Sequence, residues 1–503
     1  MSPLLVVILV LLVTYKLYRF AYDKPPNTPP GIIRIPIGGS YWMLLWGNYK
    51  FPHLAVDYYV KKLKSKIISC YMGDFFAVIV NDYDSIKEVL TRDEFSARIT
   101  NAEFIMDRAF GKKLGIFFID GEKWQEQRRF ALRHMRDFGF GRRQEKLESD
   151  IMDEMSLFLE ILKSGPAYDG EKEILKGNLA LFPDILYAPA GNNIWNIVFG
   201  HRFNRNEHDV PRRLCRAAVM LLRANDPTGG AIFQRPFLKH FGNMFGYKNH
   251  IKANNIMKDI IRKYIEYQKP TLTENDDRGF VDRYLKKLKE ENKLDSFTEE
   301  QLIILLIDMM APASSAVPTT ITHVIKYVMH HPRVMKKIQN EIDNVVGTGR
   351  LVTWEDRKHL PYVEATIRET MRLETAAPLS TAHRCNEKTT LGGYEIPADT
   401  TVFTNLAAMH HDPDLWDEPE IFRPERFLKE DGQLGKDISL PFGAGHRLCA
   451  GETFARFNLF GTLALLLQNF NFFFVEGEPS SLQDKLSGLL VTPKELWIRL
   501  ELR

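Results

Sequence analysis

A single cysteine, Cys449, lies in a glycine-rich segment near the C-terminal end of the chain. The segment reads FGAGHRLCAG over residues 442–451, and an apolar helical pattern follows from Glu452 to Phe470. A thiolate at this position could bind a metal ion from one side of a flat ligand. Backbone N–H groups of the turn and the positive end of the following helix would favour its negative charge. The residue types therefore indicate a metal site with one sulfur ligand.

The residues around this cysteine suit a flat ligand that carries negative charge at one edge. Gly443, Gly445 and Gly451 supply positions where the backbone takes a positive φ or approaches a neighbour closely. Phe442 can lie against the sulfur and keep water off it. Arg447, two residues before the cysteine, would point its charge toward an anionic edge of the ligand.

Six fixed positions in this segment form the pattern F-G-x-G-x-R-x-C-x-G. The pattern resembles the haem-thiolate loop of the cytochromes P450. Each position would match by chance about one time in fifteen to twenty at average composition, so the pattern is specific by itself. The alternative is a buried free cysteine in an ordinary glycine-rich turn. The resemblance implies a mainly α fold with a small β region, haem b as the cofactor and Cys449 as the ligand of its iron.

The composition is that of one large globular body. No linker rich in glycine and serine and no internal repeat divides the 503 residues. A hydrophobic content of 45% with 26% charged residues excludes a disordered chain, and a net charge of +3 is too small to predict nucleic-acid binding. The four cysteines lack paired or C-x-x-C spacing, which argues against zinc sites and against a secreted disulfide framework. They are Cys70, Cys215, Cys385 and Cys449.

The N-terminal segment predicts a membrane anchor. Residues 4–22 are apolar apart from Thr14, Lys16 and Arg19, and about twenty residues at 1.5 Å each just cover a bilayer core. No basic region precedes this stretch and no small-residue cleavage site follows it, which favours a retained anchor over a signal peptide. A buried core helix is the alternative. Because Lys16, Arg19 and Lys24 lie on its C-terminal side, the body is expected in the cytosol.

The resulting domain organisation has three parts. We expect a membrane anchor over residues 1–22, a proline-rich hinge over residues 23–32 and a haem-thiolate monooxygenase domain over residues 33–503. Prolines in the hinge end the helix and make the spacer semi-rigid. The resemblance implies that this arrangement holds the body on the endoplasmic reticulum.

Trp124 and Arg128 are four residues apart on a predicted helix, so their side chains are neighbours on one face. An aromatic–arginine stack on a surface helix is the simple interpretation. The resemblance instead implies a clamp on a haem propionate, which Arg98, His383 and Arg447 would join.

A second face of the same helix carries Arg129, Arg133 and Arg136, and Arg142 and Arg143 follow. A solvated charged face would explain them. The alternative, which we favour, is a basic patch that steers an acidic electron donor. The resemblance implies NADPH–cytochrome P450 reductase as this partner, with cytochrome b5 as a second donor.

Two further stretches concern the surroundings of the site. Residues 65–80 read as a hairpin that turns at Gly73 and Asp74. Residues 226–247 are rich in aromatic side chains between polar ones, which favours a second membrane contact or a substrate entrance, with core packing as the alternative.

Thr298 with Gln301 forms a capping box that opens a long apolar helix ending near His330. The resemblance makes this the helix that crosses the haem on the face opposite the sulfur. Here the chain departs from the family pattern A-G-x-(D/E)-T. The matching residues are Pro312, Ala313, Ser314, Ser315 and Ala316, and Pro318 follows. Since each proline removes one helical hydrogen bond, we expect a bent and locally unwound helix.

The departure concerns proton delivery during oxygen activation, because the family's threonine and acid are replaced by Ala316 and Ser315. Three interpretations stay open. Ser314, Ser315 or water on the freed carbonyls delivers the protons, or a hydroxyl of the substrate does so, or the enzyme rearranges a substrate that already carries oxygen. We favour ordinary monooxygenation with an altered relay.

The C-terminal half supplies a further part of the resemblance. Glu369 and Arg372 form E-x-x-R on a helix, and Arg426 lies in a P-x-R-F segment before the cysteine loop. In the family such residues form a buried cluster that holds the loop, whereas a surface ion pair is the alternative. Small and aliphatic residues are expected to line the substrate pocket, which fits a lipophilic substrate. They are Pro312, Ala313, Ala377, Leu379 and Leu489.

The function expected from these features is a haem-thiolate monooxygenase that inserts one oxygen atom from O2 into a lipophilic small molecule. Steroids, fatty acids, terpenoids and xenobiotics are the substrate classes considered. Two rivals are an oxygen-independent isomerase or dehydratase that acts on a hydroperoxide, and a non-catalytic protein that binds haem or lipid.

Overall fold

The computed structural model describes residues 3–98, 103–140, 144–292 and 294–503. These residues form α-helices α1 to α18 in chain order. Their bounds are Pro3–Tyr22, Tyr41–Gly47, Pro52–Leu63, Tyr83–Thr91, Glu103–Asp107, Gly121–Asp137, Glu145–Ser164, Asp169–Lys172, Tyr187–Phe199, Asp209–Arg223, Gly230–Gln234, Tyr247–Gln268, Phe280–Lys289, Glu299–His330, Pro332–Val345, Pro361–Leu373, Leu406–His410 and Glu452–Asn469.

The strands are shorter and fewer than the helices within the described residues. Strands β1 to β12 are Ile67–Met72, Phe75–Val80, Leu175–Lys176, Leu179–Phe182, His383–Arg384, Thr389–Leu391, Tyr394–Ile396, Thr401–Thr404, Phe470–Phe474, Lys485–Leu486, Thr492–Pro493 and Leu496–Leu502. They form two four-stranded sheets, in the orders β1-β2-β8-β5 and β3-β4-β12-β9, and two two-stranded sheets. The predicted mainly α fold with a small β region is confirmed.

The predicted hairpin over residues 65–80 is confirmed. Strands β1 and β2 pair antiparallel, with Met72 opposite Phe75, and the chain turns at Gly73, whose φ of +64° favours glycine. Strand β2 then pairs in parallel with β8, which brings His383 on the adjacent strand β5 into the same sheet.

Helix α14 runs through the middle of the body. The Thr298 side chain accepts a hydrogen bond from the Gln301 N–H, so the predicted N-cap is confirmed. The second half of the predicted capping box is not formed, because the Gln301 side chain bonds the backbone of Gly115. The helix packs against α9, α10, α12, α16 and α18. Because it is buried on nearly every side, it is apolar around its whole circumference rather than along one stripe. A central helix of this kind can form one wall of an internal site.

The expectation of local unwinding around Pro312 and Pro318 was wrong, since α14 is continuous from Glu299 to His330. Each proline removes a single hydrogen bond, and the neighbouring turns keep theirs. Burial against surrounding helices holds these turns in the helical conformation.

Helix α1 differs from every other described α-helix in having no buried residue. It is long and apolar enough to cross a membrane and lies at the N-terminal end. Helix α14 passes the same test of length and composition, but it lies in the core.

The segment over residues 226–247 divides between the core and the surface. Ile232 and Phe233 are buried, whereas Phe237, Phe241 and Met244 are exposed. Core packing therefore accounts for part of the segment, and the membrane contact or substrate entrance stays a prediction for the exposed part.

Candidate active site

A cavity of about 440 Å³ lies between α14, the segment after α16 and the loop that carries Cys449. Cys449 is exposed and lines this cavity, whereas Cys70, Cys215 and Cys385 are buried. Burial raises the pKa of each of these three thiols. Cys449 is thus the cysteine that can reach a ligand in the cavity.

The Cys449 loop is a tight turn closed by its own backbone. The Cys449 N–H donates to the Phe442 carbonyl oxygen at 2.9 Å. Gly443 has a φ of +73° and lines the cavity, and a Cβ at this residue would meet only open space. The loop therefore leaves room for a flat ligand above the sulfur.

Close packing fixes the other two glycines of the loop. A Cβ on Gly445 would come 2.1 Å from the Leu90 carbonyl oxygen, and one on Gly451 would come 2.9 Å from the Phe140 ring. Gly445 also has a positive φ of +64°. Since neither position accepts a side chain, the loop is held against its neighbours in one position.

The protein groups around the sulfur favour the neutral thiol, opposite to the expectation that the turn and the helix end favour a negative charge. Although Cys449 is exposed where it lines the cavity, desolvation by the surrounding protein atoms raises the pKa of its thiol, and the nearby Glu452 adds to the rise. The Gly451 N–H and the Arg128 guanidinium act in the opposite direction. Because burial outweighs these two groups, a thiolate here needs a positive partner in the cavity, and a haem iron would supply one.

Four cationic or titratable side chains line the cavity beside this loop. They are Arg98, Arg128, His383 and Arg447. The Arg128 Nη2 donates to the Leu448 carbonyl oxygen at 2.9 Å, directly before the cysteine. The Arg447 guanidinium lies 3.5 Å from the centre of the Trp124 ring, whose Nε1 donates to the Ile116 carbonyl oxygen. The Trp124 ring therefore packs against the Arg447 guanidinium and helps to hold it in position.

These cations outnumber the acidic groups that act on them. Burial and then the neighbouring arginines lower the pKa of Arg447 to about 8 and that of Arg98 to about 9. Burial and Arg98 hold the pKa of His383 well below its ordinary value. Asp120 is the acid that counteracts the shifts of both arginines, and the buried Nε of Arg98 has no acceptor among the described residues. Such a cluster fits a ligand with carboxylates at one edge, as haem b has.

The Glu-Arg-Arg cluster expected from the sequence is assembled and buried. The Arg372 Nε and Nη2 donate to the two carboxylate oxygens of Glu369 at 2.8 and 2.9 Å, and the Arg426 Nε donates to Oε1 at 2.9 Å. Arg372 also donates to the His410 carbonyl oxygen at 2.6 Å. The cluster ties α16 to the segment that precedes the cysteine loop.

The wall formed by α14 presents Ala316 to the cavity, together with Pro312 and Ala313. The Ser314 and Ser315 side chains are buried, and their hydroxyls donate back to the carbonyls of Met310 at 2.6 Å and Ala311 at 2.7 Å. The structure therefore does not bring these two hydroxyls to the cavity.

Among the other predicted pocket residues, Ala377 and Leu489 line the cavity. Leu379 is fully buried and packs in the core beside Ile68 and Phe403 instead. Leu379 follows a proline and precedes a turn at Ser380, whose φ is +54°. Its position along the chain alone therefore did not predict the direction of its side chain.

Sequence reasoning missed several polar side chains on the cavity wall, among them Thr320, Asp308 and Glu374. Thr320 lies one turn beyond Ala316, and its hydroxyl donates to the Ala316 carbonyl oxygen at 2.9 Å. Asp308 interrupts the apolar run of α14, which could have signalled it, and it pairs with Arg108 at 2.6 Å. Glu374 accepts a hydrogen bond from the Tyr327 hydroxyl at 2.9 Å.

Comparison with known proteins agrees with this arrangement. The family model described as Cytochrome P450 matches residues 29–499. The farnesoate epoxidase of Bombyx mori is 30% identical over 479 residues, which cover 94% of each chain. Cytochrome P450 2J3 of Rattus norvegicus is 31% identical over 479 residues, with 93% of this chain and 90% of the relative covered. Cytochrome P450 2B2 of the same organism is 32% identical over 484 residues, with 94% and 93% covered.

The match extends over the body and includes the cysteine loop, the cation cluster and the Glu-Arg-Arg cluster. The chain therefore belongs to the cytochrome P450 family, whose members are monooxygenases that contain haem b.

Proposed function

We propose that this protein is a membrane-anchored monooxygenase that inserts one oxygen atom from O2 into a lipophilic substrate, with electrons that originate from NADPH. The observation that carries the proposal is the juxtaposition of Cys449, a cluster of cations that lower one another's pKa and an aliphatic wall around one cavity. A thiolate ligand, a propionate site and a substrate chamber are the three parts that such an enzyme needs.

Each group of residues has a distinct task in this proposal. When bound, haem b supplies the oxygen chemistry at its iron. Cys449 holds the iron, and Arg98, Arg128, His383 and Arg447 hold the propionate edge. Phe442, Gly443 and Gly451 leave the ring room and limit access of water to the sulfur. Pro312, Ala313, Ala377 and Leu489 hold the substrate by apolar contact.

Proton delivery follows an altered route, because Ala316 cannot donate a hydrogen bond. Thr320 carries the nearest hydroxyl along α14 that lines the cavity, and its Oγ1 can position water beside Ala316. Thr320 lines the cavity and Ser314 and Ser315 do not, which favours Thr320 with water over these two serines.

Electron transfer is proposed to take place at the face of α6 that carries Arg129, Arg133 and Arg136. All three are exposed, and the same helix contributes Arg128 to the sulfur side of the cavity. An acidic partner docked there would lie close to the cysteine loop. Arg142 and Arg143 lie outside the described residues. NADPH–cytochrome P450 reductase is the proposed partner, with cytochrome b5 as a second donor.

The domain organisation proposed from the sequence is an anchor over residues 1–22, a hinge over 23–32 and the catalytic body over 33–503. Helix α1 supports the anchor, since its apolar surface is exposed along its whole length. Basic residues at its C-terminal end favour a body that faces the cytosol from the endoplasmic reticulum membrane.

The substrate classes remain steroids, fatty acids, terpenoids and xenobiotics. The name of the Bombyx mori relative says that it epoxidises farnesoate, a terpenoid acid. The aliphatic cavity wall supports a lipophilic substrate for this chain as well.

The test of the proposed function is the spectrum of the Cys449→Ser variant. We expect the ferrous–CO Soret maximum of the wild-type protein to be that of a thiolate-ligated haem, and the variant to lose it. Cys385→Ser, which removes a buried thiol away from the cavity, is the matched control and should retain the signal. An unaltered Soret maximum in Cys449→Ser would refute the assignment.

Ala316 favours one second function, the rearrangement of a hydroperoxide without O2, because such a reaction needs no protons from this wall. The two functions differ in their use of NADPH. Product formation from lipophiles with NADPH and the reductase supports monooxygenation. Fast turnover of organic hydroperoxides, with little product and rapid hydrogen peroxide release under NADPH, supports the second function instead.

A further inference from the structure

We propose that Glu374 passes protons from solvent to the water that Thr320 positions in the cavity. The inference rests on the proposed monooxygenase function and names an acid that takes over from the one missing at Ser315. Glu374 directly follows α16 and lines the cavity, although its side chain is only 4% exposed. Thr320 lines the same cavity, so water inside it can connect the two side chains.

The position of Glu374 is unfavourable for an acid. Its N–H donates to the Thr370 carbonyl oxygen at 2.7 Å, which places it at the C-terminal end of α16. The helix dipole puts partial negative charge at this end, and burial disfavours a carboxylate further. An acid that stability alone does not favour, placed at a cavity wall, points to a role in the chemistry of the cavity.

A polar stripe on α14 connects Glu374 with the wall that lacks a proton donor. Thr320, His323 and Tyr327 lie three and four residues apart, so their side chains follow one another on one face of the helix. The Tyr327 hydroxyl donates to Oε1 of Glu374 at 2.9 Å, and the His323 Nδ1 lies 3.8 Å from Oε2. Toward the N-terminal end of α14, the same face reaches Ala316, which lines the cavity.

His323 can assist this transfer because it is neutral. Burial lowers its pKa to about 4, with Glu374 acting against the shift and Lys485 and Lys326 adding to it. A neutral imidazole has one donor and one acceptor nitrogen, so it can exchange a proton with a neighbour without holding a charge. Burial and Glu374 raise the pKa of Tyr327, which keeps its hydroxyl protonated as a donor to the carboxylate.

Lys485 connects Glu374 to the surface. Its Nζ lies 2.7 Å from Oε2 of Glu374, and its side chain on the short strand β10 is 19% exposed. Lys326 fixes this part of the chain to α14, since its buried Nζ donates to the Ser481 carbonyl oxygen at 2.6 Å. His53 on α3 is neutral as well, because burial and Lys485 lower its pKa to about 4. Glu374 thus lies between a solvent-exposed ammonium and the cavity.

The route supplies the two protons that monooxygenation consumes. One substrate molecule, one O2, two electrons and two protons give the oxygenated product and one water molecule. The Glu374 carboxyl gives a proton to cavity water and takes up another from solvent beside Lys485, so it returns to its starting state. The water beside Thr320 carries each proton to the oxygen atom that leaves as water.

The first test uses the purified holoenzyme with the reductase, NADPH and farnesoate, the compound in the name of the Bombyx mori relative. Glu374→Gln should form product about tenfold more slowly, release more hydrogen peroxide per NADPH and show a larger solvent isotope effect. With cumene hydroperoxide in place of O2 and NADPH, its rate should equal that of the wild type, because the reagent brings its own proton. Adding Thr320→Val should slow Glu374→Gln no further, since both residues act on one route.

The matched control is Asp484→Asn, which removes an acid from the same surface segment and should change none of these values. Asp484 pairs with Lys494 at 2.7 Å and does not line the cavity. Tyr327→Phe keeps the acid and removes its hydrogen bond, so it should form product nearly as fast as the wild type. A purely structural Glu374 predicts instead that Tyr327→Phe and Glu374→Gln lose activity alike, with either oxidant.

A second readout needs neither turnover nor substrate, and it decides the matter if farnesoate is not oxidised. Photolysis of CO from the ferrous protein should change an infrared band of the Glu374 carboxyl group. This band should shift in D2O, disappear in Glu374→Gln and persist in Asp484→Asn. If Glu374→Gln does not fold, Lys485→Gln replaces it, because it keeps the acid, removes the surface partner and should shift the same band.

The proposal is overturned if no infrared band depends on Glu374 or Lys485, or if Glu374→Gln loses activity equally with NADPH and with cumene hydroperoxide. The ferrous–CO spectrum separates such a failure from that of the proposed function. If the thiolate signal is present, the role of Glu374 is wrong and the monooxygenase proposal stands. If wild-type protein lacks that signal, the proposed function fails and this inference fails with it.

Discussion

Substitution of Glu369 by glutamine tests whether the buried cluster holds the cysteine loop. Glu369 and Arg372 are fully buried, and Arg426 is nearly so. The carboxylate accepts three hydrogen bonds from the two guanidinium groups and a fourth from the Arg423 N–H at 2.9 Å. Glutamine has almost the same shape but no charge, so the variant leaves two arginines without their counterion.

The expected loss of stability follows from this burial. Breaking a buried ion pair by removing one charge costs about 3–5 kcal/mol. With an unfolding entropy of about 2.1 cal/mol/K per residue, a body that spans residues 33–503 would lose about 3–5 °C in Tm. The cysteine loop should loosen as well, because Arg426 also donates to carbonyl oxygens of Asp417, Glu418 and Ile421 ahead of that loop.

The assay is thermal unfolding of the holoenzyme, followed by circular dichroism and by the Soret absorbance. The control is Glu501→Gln, the same substitution in the exposed pair with Arg499, whose side chains are 43% and 44% exposed. Such a pair contributes about 0–1 kcal/mol, so its Tm should change by no more than about 1 °C. Equal Tm values for Glu369→Gln and Glu501→Gln would refute the structural role of the cluster.

Three further predictions concern protons and the cofactor. Thr320→Val should raise the hydrogen peroxide released per NADPH, and adding Ala316→Thr should lower it again; unchanged peroxide in Thr320→Val contradicts the proposed relay. Burial lowers the pKa of His410 from 6.5 to about 4. Between these pH values the unfolded chain therefore binds a proton that the folded chain does not. As a result, the free energy of unfolding falls by up to about 3 kcal/mol as the pH drops from 6.5 to 4. In urea titrations over this pH range, the free energy of unfolding of His410→Gln should fall less steeply with pH than that of the wild type. Identical slopes would contradict the assignment of this pH dependence to His410. The Arg447→Gln variant should transfer haem to apomyoglobin about tenfold faster than the wild type, because a lost charged hydrogen bond costs about 1.4 kcal/mol. An unchanged rate would argue against a contact between Arg447 and a propionate.

Local sequence signals determined much of the fold and the chemical centre. The Thr298 capping box and the apolar run after it predicted α14, and Gly73 with Asp74 predicted the β1–β2 hairpin. The spacing around Cys449 indicated a thiolate loop whose glycines prove to be close-packed or to have positive φ. These signals succeed because caps, turns and close approaches depend on neighbours in the chain.

Tertiary structure decided which side chains share the cavity. The sequence could not show that Leu379 turns into the core, that the two serine hydroxyls bond back into α14, or that α14 remains helical through two prolines. Nor could it pair Arg108 with Asp308, because the two lie 200 residues apart. Burial and charge pairing between distant segments depend on how helices pack, and local propensity does not record that packing.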